Sequence, residues 1–522
     1  MLIYTKFGIL RGNMLEKSKN QEQYKIDYFV TIAPLCIILG LFIVFILFPE
    51  KSNTYIESLR FFFTDTIGIY YLVFGVALFL LSLFIAFSKY GKIILGKPDE
   101  KPKYTFFQWG AMMFCAGLAA DILFYSLCEW VMYITDPHVI RMSDNPYAMS
   151  SAYSLFHWGP MPWCFYLCLA VAFGFMIHVR NRNTQKFSES LRPLLGNKVD
   201  GIPGKAVDIF AIFALIAGCA TTFCVATPLL TASLHNLFGI PDNKLTTIII
   251  LCLVCAIYTT SLFNGLKGIN ILSKLCIFIY LSFIAYVLIF SGQISFIIKN
   301  SVNAIGLFIK NFAYMSLYTD PTRETSFPQT WTCFYWAYWM VWCIAAPFFI
   351  GIISRGRSIK QTILGGYLFG LASTYIGFLV IGNWTMGLNI NNIVDVLGIY
   401  SKNENLYETI MACMNALPLS ILPNIILIIS MIAFYATSYD SISLVASYYS
   451  YKNITSDITP GTKIKLFWAI LLILLPIALL FSESGMSNIQ GISIIGAFPI
   501  GIIMILIMIS FFKDAKNYLN GN

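Results

Sequence analysis

Charge is scarce in this sequence of 522 residues: Asp, Glu, Lys and Arg together make up 11%. A soluble globular domain carries roughly a quarter, so the chain does not read as one. Histidine is scarcer still, and its four residues, His138, His157, His178 and His235, are too scattered to suggest a metal-ligand cluster. No His pair or His/Asp grouping offers the nucleophile and base that an intramembrane enzyme needs. The expectation is therefore no enzyme, no cofactor and no metal. The 13 cysteines lie mostly inside apolar runs, where a free thiol behaves as a small hydrophobe, and no disulfide is expected. No cleavable leader is expected either, because residues 1–27 are polar and basic (Lys6, Arg11, Lys17, Lys19, Lys25) and lead directly into a full-length apolar run. The net charge of +9 reads as juxtamembrane Lys and Arg, with no case for nucleic acid.

What the chain has in abundance is apolar length. Hydrophobic residues reach 58% and the mean hydropathy is +0.74, with runs of about 20 residues, each able to cross roughly 30 Å of hydrocarbon as a helix. Twelve spans are predicted, at 28–48, 67–88, 105–134, 155–178, 206–236, 245–263, 272–292, 331–352, 361–384, 419–447, 464–482 and 489–513. Basic loops at 89–103, 179–205 and 354–360 contrast with 385–418, which has only Lys402. The positive-inside rule then places both termini in the cytoplasm. Residues 1–27 form an N-terminal tail, 28–104 two spans and a basic loop, 294–330 an external segment with an amphipathic helix, and 514–522 a short C-terminal tail. Between them lie two five-helix sets, 105–293 and 331–513, the first entered from inside and the second from outside. That is the arrangement of an inverted repeat, which in secondary transporters places the substrate near the bilayer midplane.

The segment TWTCFYWAYWMVW, 330–342, concentrates four of the ten tryptophans. On a helix Tyr335, Trp339 and Trp342 share a face, with Trp336 beside it. Pattern alone leaves two readings open, an aromatic belt at the membrane interface or a wall of π-faces that holds a cation. In FCAGLAADILFYSLCEW, 114–130, small residues precede Asp121, and a carboxylate at mid-span costs roughly 2.5–3.5 kcal/mol on insertion scales. Such a group either lines a polar cavity or makes a structural hydrogen bond, and the small residues either pack closely or unwind. Glu129, nearer the outer end, is expected to be solvated. FHWGPMPWCFY, 156–166, puts Trp158 at an irregular entry ahead of Pro160 and Pro162, while Trp163 and Tyr166 share a helical face. FYATSYDSIS, 434–443, is a polar run inside an apolar helix; its hydroxyls either line an ion path or bond back to the preceding turn.

These motifs resemble the betaine/choline/carnitine transporter family over roughly 27–513. The most specific part is WTCFYWAYWMVW followed by SRGR; HWGPMPW and LYTDP with FPQTWT (317–332) are also typical. The resemblance implies an all-α membrane protein of twelve helices with the LeuT-type five-plus-five inverted repeat, usually trimeric, moving quaternary ammonium compounds. It places Trp158, Trp163 and Tyr166 at the family's three aromatic positions in the fourth span. Trp336, Trp339 and Trp342 match tryptophans of the eighth span, and Tyr338 stands where most members have Trp. Met132 stands where the carnitine branch has Tyr.

Asp121 stands where betaine symporters have Gly and choline transporters typically have Asp. Choline is a net cation, so a buried site benefits from one counter-charge, whereas zwitterionic betaine or carnitine brings its own. The resemblance implies that Thr437 and Ser438 contribute to a sodium site. Leu215 and Cys219 lack the hydroxyls of a second threonine pair. Cys276 stands where the sodium-independent exchangers have Arg, with Lys274 nearby. The expectation is a plasma-membrane importer of a quaternary amine, choline favoured, working by alternating access, with carnitine or glycine betaine as the alternative. Sodium coupling, proton coupling and exchange all stay open.

Overall fold

The structure, a computed structural model, describes residues 24–521 apart from 265, 456, 457, 483 and 484, and among helical positions leaves out the side chains of 260–275, 437 and 440. The side chains of Thr437 and Lys274 therefore lie outside the described residues, as do residues 1–23 of the N-terminal tail. Among the described residues there is no strand, only two isolated bridges, Ile26 with Tyr451 and Ile94 with Ser358.

The principal helices are α1 (Tyr28–Leu47), α2 (Ile69–Phe87), α3 (Phe106–Ala116), α4 (Ala120–Ile134), α5 (Pro146–His157), α6 (Pro160–Gly174), α7 (Ile202–Phe238), α8 (Lys244–Asn264) and α9 (Leu266–Phe290). They continue as α10 (Ile294–Leu317), α11 (Cys333–Trp342), α12 (Ala346–Ile353), α13 (Ile359–Gly377), α14 (Ile421–Tyr449), α15 (Thr462–Phe481) and α16 (Met486–Leu519). By length and composition eight spans can cross a membrane, and three bent helix pairs raise that to eleven. Each of the twelve spans read from the sequence falls on a helix or a bent pair; the one at 245–263 falls on α8, whose described part is shorter. The chain is an all-α, multi-pass membrane protein. Its fourth span begins earlier than hydropathy alone suggests, because α5 adds Ser150, Ser151 and Ser154, buried hydroxyls that dilute the apolar signal. The last helix also runs past 513, and near its end Asp514 accepts from Arg180 Nε at 2.8 Å and pairs with Arg182.

The helix that opens each five-helix set is broken. Between α3 and α4 the axis turns by 65°, and between the helical run Pro328–Trp342, which contains α11, and α12 it turns by 56°. At the first break Ala119 is extended (φ −150°, ψ 166°), so the residues around 117–119 leave the helical hydrogen-bond ladder. Gly117 sits there because a Cβ would lie 2.8 Å from the Trp163 ring. Close packing and unwinding, alternatives from sequence, occur together. At the second break Pro347 lies in the first turn of α12, and proline cannot continue a helical ladder. Broken helices inside a bundle leave backbone polar groups free for a ligand or ion at membrane depth.

The predicted amphipathic segment is α10, turned by 113° from the end of α9. It buries Ile297, Asn300, Ala304 and Phe308 on one face and lies along α5. The long helix α7 runs through the bundle against α14, α15 and α16. Around α6 pack α2, α12 and α13. On α13, Gly370 allows the Trp163 ring to approach so closely that a Cβ would lie 2.5 Å from it.

Candidate functional site

Two chain breaks and one helix face create an aromatic cluster. Gly159 is extended and Pro160 starts α6, so Trp158 closes α5 while Trp163 and Tyr166 project from the first turns of α6. From the other side α11 contributes Trp339, whose ring centroid lies 5.8 Å from Trp158, 5.7 Å from Trp163 and 4.9 Å from Tyr166. Trp163 and Tyr166 are 5.7 Å apart. These four of the predicted site residues form one group centred on Trp339.

Three further rings join it. Trp158 lies 5.5 Å from Tyr335, 5.6 Å from Tyr125 and 5.3 Å from Phe378. The indole nitrogens of Trp163 and Trp339 are buried without a hydrogen-bond partner among the described residues. A buried unpaired donor is costly, so these atoms are available to a ligand or water. Cluster burial argues against an interfacial belt.

Asp121 sits at the start of α4, buried at 3% exposure, just past the unwound segment. Its Oδ1 accepts the Ile122 N–H at 3.0 Å, and its Oδ2 accepts from the Tyr338 hydroxyl. Tyr338 is also 2.5 Å from Thr222 Oγ1 on α7. The carboxylate lies within electrostatic reach of Tyr125 and Tyr166. Asp121 is thus both hydrogen-bonded and within electrostatic reach of the rings, and Tyr338 is the residue that holds it.

Other predicted site residues stand apart. A helix turns by about 100° per residue, which carries Trp336 off the Tyr335 face and against Phe156 and Phe165; its indole also covers Gly75 of α2. Trp342 is half-buried beside Gly218 of α7. Ser438 is half-buried on α14, where the next residue, Tyr439, stacks on Phe223 at 3.7 Å and on Tyr258 at 4.0 Å. Leu215 and Cys219 are fully buried on α7 and Cys276 is buried on α9.

One expectation is overturned. Glu129 is not solvated but 1% exposed. Its Oε2 accepts from Trp158 Nε1 at 2.7 Å and its Oε1 from the Tyr133 hydroxyl at 2.5 Å. Tyr133 in turn lies 2.8 Å from His157 Nδ1, whose Nε2 is 3.1 Å from Thr332 Oγ1. Distance from the span centre misled, because the surrounding helices cover this end of α4. A signal was present: Asp121, Tyr125 and Glu129 recur at helical spacing and so share one face.

At one end of the bundle a cavity of about 480 Å³ opens among His138, Arg141, Tyr314, Tyr318, Asp320 and Glu324. Burial holds the His138 imidazole down, from its ordinary 6.5 to about 4.

Comparison with known proteins decides the family. Residues 29–520 match the description "BCCT, betaine/carnitine/choline family transporter". The chain belongs to that family. It is 30% identical to the "Glycine betaine transporter OpuD" of Bacillus subtilis (strain 168) over 472 residues, which cover 89% of this chain and 90% of that protein. Among solved structures, a Na+-coupled sialic acid symporter in a substrate-bound outward-open state aligns over 86% of this chain and 87% of that one, with 16% identity and a TM-score of 0.46. As a betaine/carnitine/choline family member the protein is a transporter and not an enzyme, and both the aromatic cluster and Asp121 lie inside the matched region.

Proposed function

We propose that this transporter imports choline, or a closely related quaternary amine, as a secondary transporter by alternating access. The carrying observation is the pairing of a buried carboxylate, Asp121, with the Trp158, Trp163, Tyr166 and Trp339 rings. Each aromatic face offers about 0.5–2 kcal/mol to a cationic head, depending on desolvation. Asp121 supplies the counter-charge that a net cation lacks, and a zwitterion would meet it with a carboxylate of its own. Glycine betaine is the second reading, favoured by the similarity to a glycine betaine transporter, and carnitine is the third, favoured by HWGPMPW.

Thr437 and Ser438 are proposed to help hold a coupling sodium, with a proton on Asp121 as the alternative driver. Cytoplasmic termini and a homotrimer complete the proposal. The test is uptake of labelled choline, carnitine and glycine betaine into proteoliposomes, with sodium and pH gradients imposed separately. Saturable choline uptake that outcompetes the zwitterions supports the reading. Saturable betaine or carnitine uptake that excess choline does not inhibit overturns it.

A further inference from the structure

We propose that Glu129 is a positioning residue for the substrate cation and acts through the indole of Trp158. The inference rests on the reading that Trp158 faces the trimethylammonium head. Trp158 closes α5 and precedes the extended Gly159, and its backbone, bonded to Ser154 O and to Thr374 Oγ1, leaves the rotation of the ring open. Its ring is fixed instead by one directed bond, Nε1 to Glu129 Oε2 at 2.7 Å, and by packing against Tyr125, Tyr335, Phe378 and Trp339. The distance is at the short end for an N–H···O bond.

Two effects follow from general chemistry. The bond sets the rotation of the ring, and so which face meets the cation. An indole N–H that donates to a carboxylate also has its π-cloud enriched, because electron density withdrawn from the hydrogen returns to the ring; the face becomes more negative and more attractive to a cation. Glu129 is itself held by the Tyr133 hydroxyl, which His157 anchors from the far side, and the His157 ring stacks on Tyr335 at 4.6 Å. One buried polar chain from Thr332 through His157, Tyr133 and Glu129 therefore ends on the edge of a cluster ring.

Glu129→Gln keeps an oxygen that can accept from Trp158 and an amide that can donate to Tyr133, but removes the charge. In purified protein, choline affinity, measured by isothermal titration or radioligand binding, should weaken by roughly three- to tenfold. The emission of Trp158 should shift relative to Trp158→Phe, and thermal stability should stay near wild type. The deciding measurement is a double-mutant cycle with Trp158→Phe, which keeps a ring but has no N–H. If Glu129 acts through Trp158, the Gln substitution costs nothing further in the Phe background. An equal loss in both backgrounds would show a direct long-range charge effect and overturn the positioning role, as would wild-type affinity in Glu129→Gln. If Trp158→Phe and Trp158→Leu both bind choline like wild type, the cluster reading itself fails, a result distinct from either of these. Should Glu129→Gln fold poorly, Trp158→Phe with Tyr133→Phe, which weakens the hold on Glu129 without altering its charge, supplies the same cycle.

Discussion

Replacing Asp121 by Asn removes one negative charge while keeping most of its hydrogen bonding. The amide oxygen still accepts the Ile122 N–H, which lies at 3.0 Å in the native protein. The amide nitrogen then meets the Tyr338 hydroxyl, which can turn its proton towards Thr222 Oγ1, 2.5 Å away. The perturbation is therefore chiefly electrostatic. A trimethylammonium centre about 6 Å from the carboxylate, at an effective dielectric of about 20, gains about 2.8 kcal/mol from that charge. Because about 1.4 kcal/mol is tenfold, choline should bind Asp121→Asn roughly 100-fold more weakly. For glycine betaine the attraction of one end and the repulsion of the other nearly cancel, so its affinity should change by less than about threefold. The assay is competition uptake in proteoliposomes, with KM measured for both substrates, and Tyr338→Phe as the control that loses the hydroxyl but keeps the charge. A choline-to-betaine KM ratio within about threefold of wild type in Asp121→Asn would refute the argument and leave the carboxylate a structural role.

Trp339→Leu should raise the substrate Kd by roughly tenfold. Trp468→Leu, which breaks a bond of 2.7 Å to Ser450 outside the cluster, should lower the thermal midpoint and leave KM near wild type; equal KM losses at both positions would mean a folding effect. Gly370→Ala puts a Cβ 2.5 Å from the Trp163 ring, which should cost about 1–3 kcal/mol by overpacking and raise KM, as thermal shift and uptake would report. With Leu215 and Cys219 carrying no hydroxyl, the sodium stoichiometry should be at most one, and two ions per substrate in a flux-ratio measurement would overturn it. His138 titrates at about 4 in the fold against an ordinary 6.5, so the unfolded chain binds the extra proton between those values. Its contribution to stability is therefore complete above 6.5 and lost as the pH falls towards 4. The melting temperature should fall more steeply with decreasing pH in that window for wild type than for His138→Gln, and identical pH profiles would contradict it.

Hydropathy located the spans because a helix in lipid must be apolar along its whole length; Gly117 with its small neighbours left open the break in the first of the two broken helices, while the second, read as one span at 331–352, is broken before Pro347. The aromatic group was legible as far as its residues announced themselves. Trp158, Trp163, Tyr166 and Trp339 are spaced so that two helices can face each other, and they do. Trp336 looked equivalent because composition does not reveal rotation, and only the packing of α2 shows that its indole covers Gly75. Phe378 was invisible as a site residue, since a lone ring in an apolar span resembles core. Glu129 failed for a related reason: exposure depends on neighbouring helices, which position along one helix does not report. The bond between Tyr338 and Asp121 joins residues far apart in sequence, and no single-helix pattern could pair them.

Trp339 meets the rings of Trp158, Trp163 and Tyr166 at centroid distances of 4.9–5.8 Å. On the proposed function, a trimethylammonium group enters only as those rings part, so substrate and side chains would compete for the same volume. On the same reading, the contact among the rings would stand in the way of water and small hydrated ions when the site is empty. The collapse that binding has to open would then also guard the membrane against an uncoupled leak. A smaller side chain at Trp339 should therefore raise passive ion permeability as well as weaken binding.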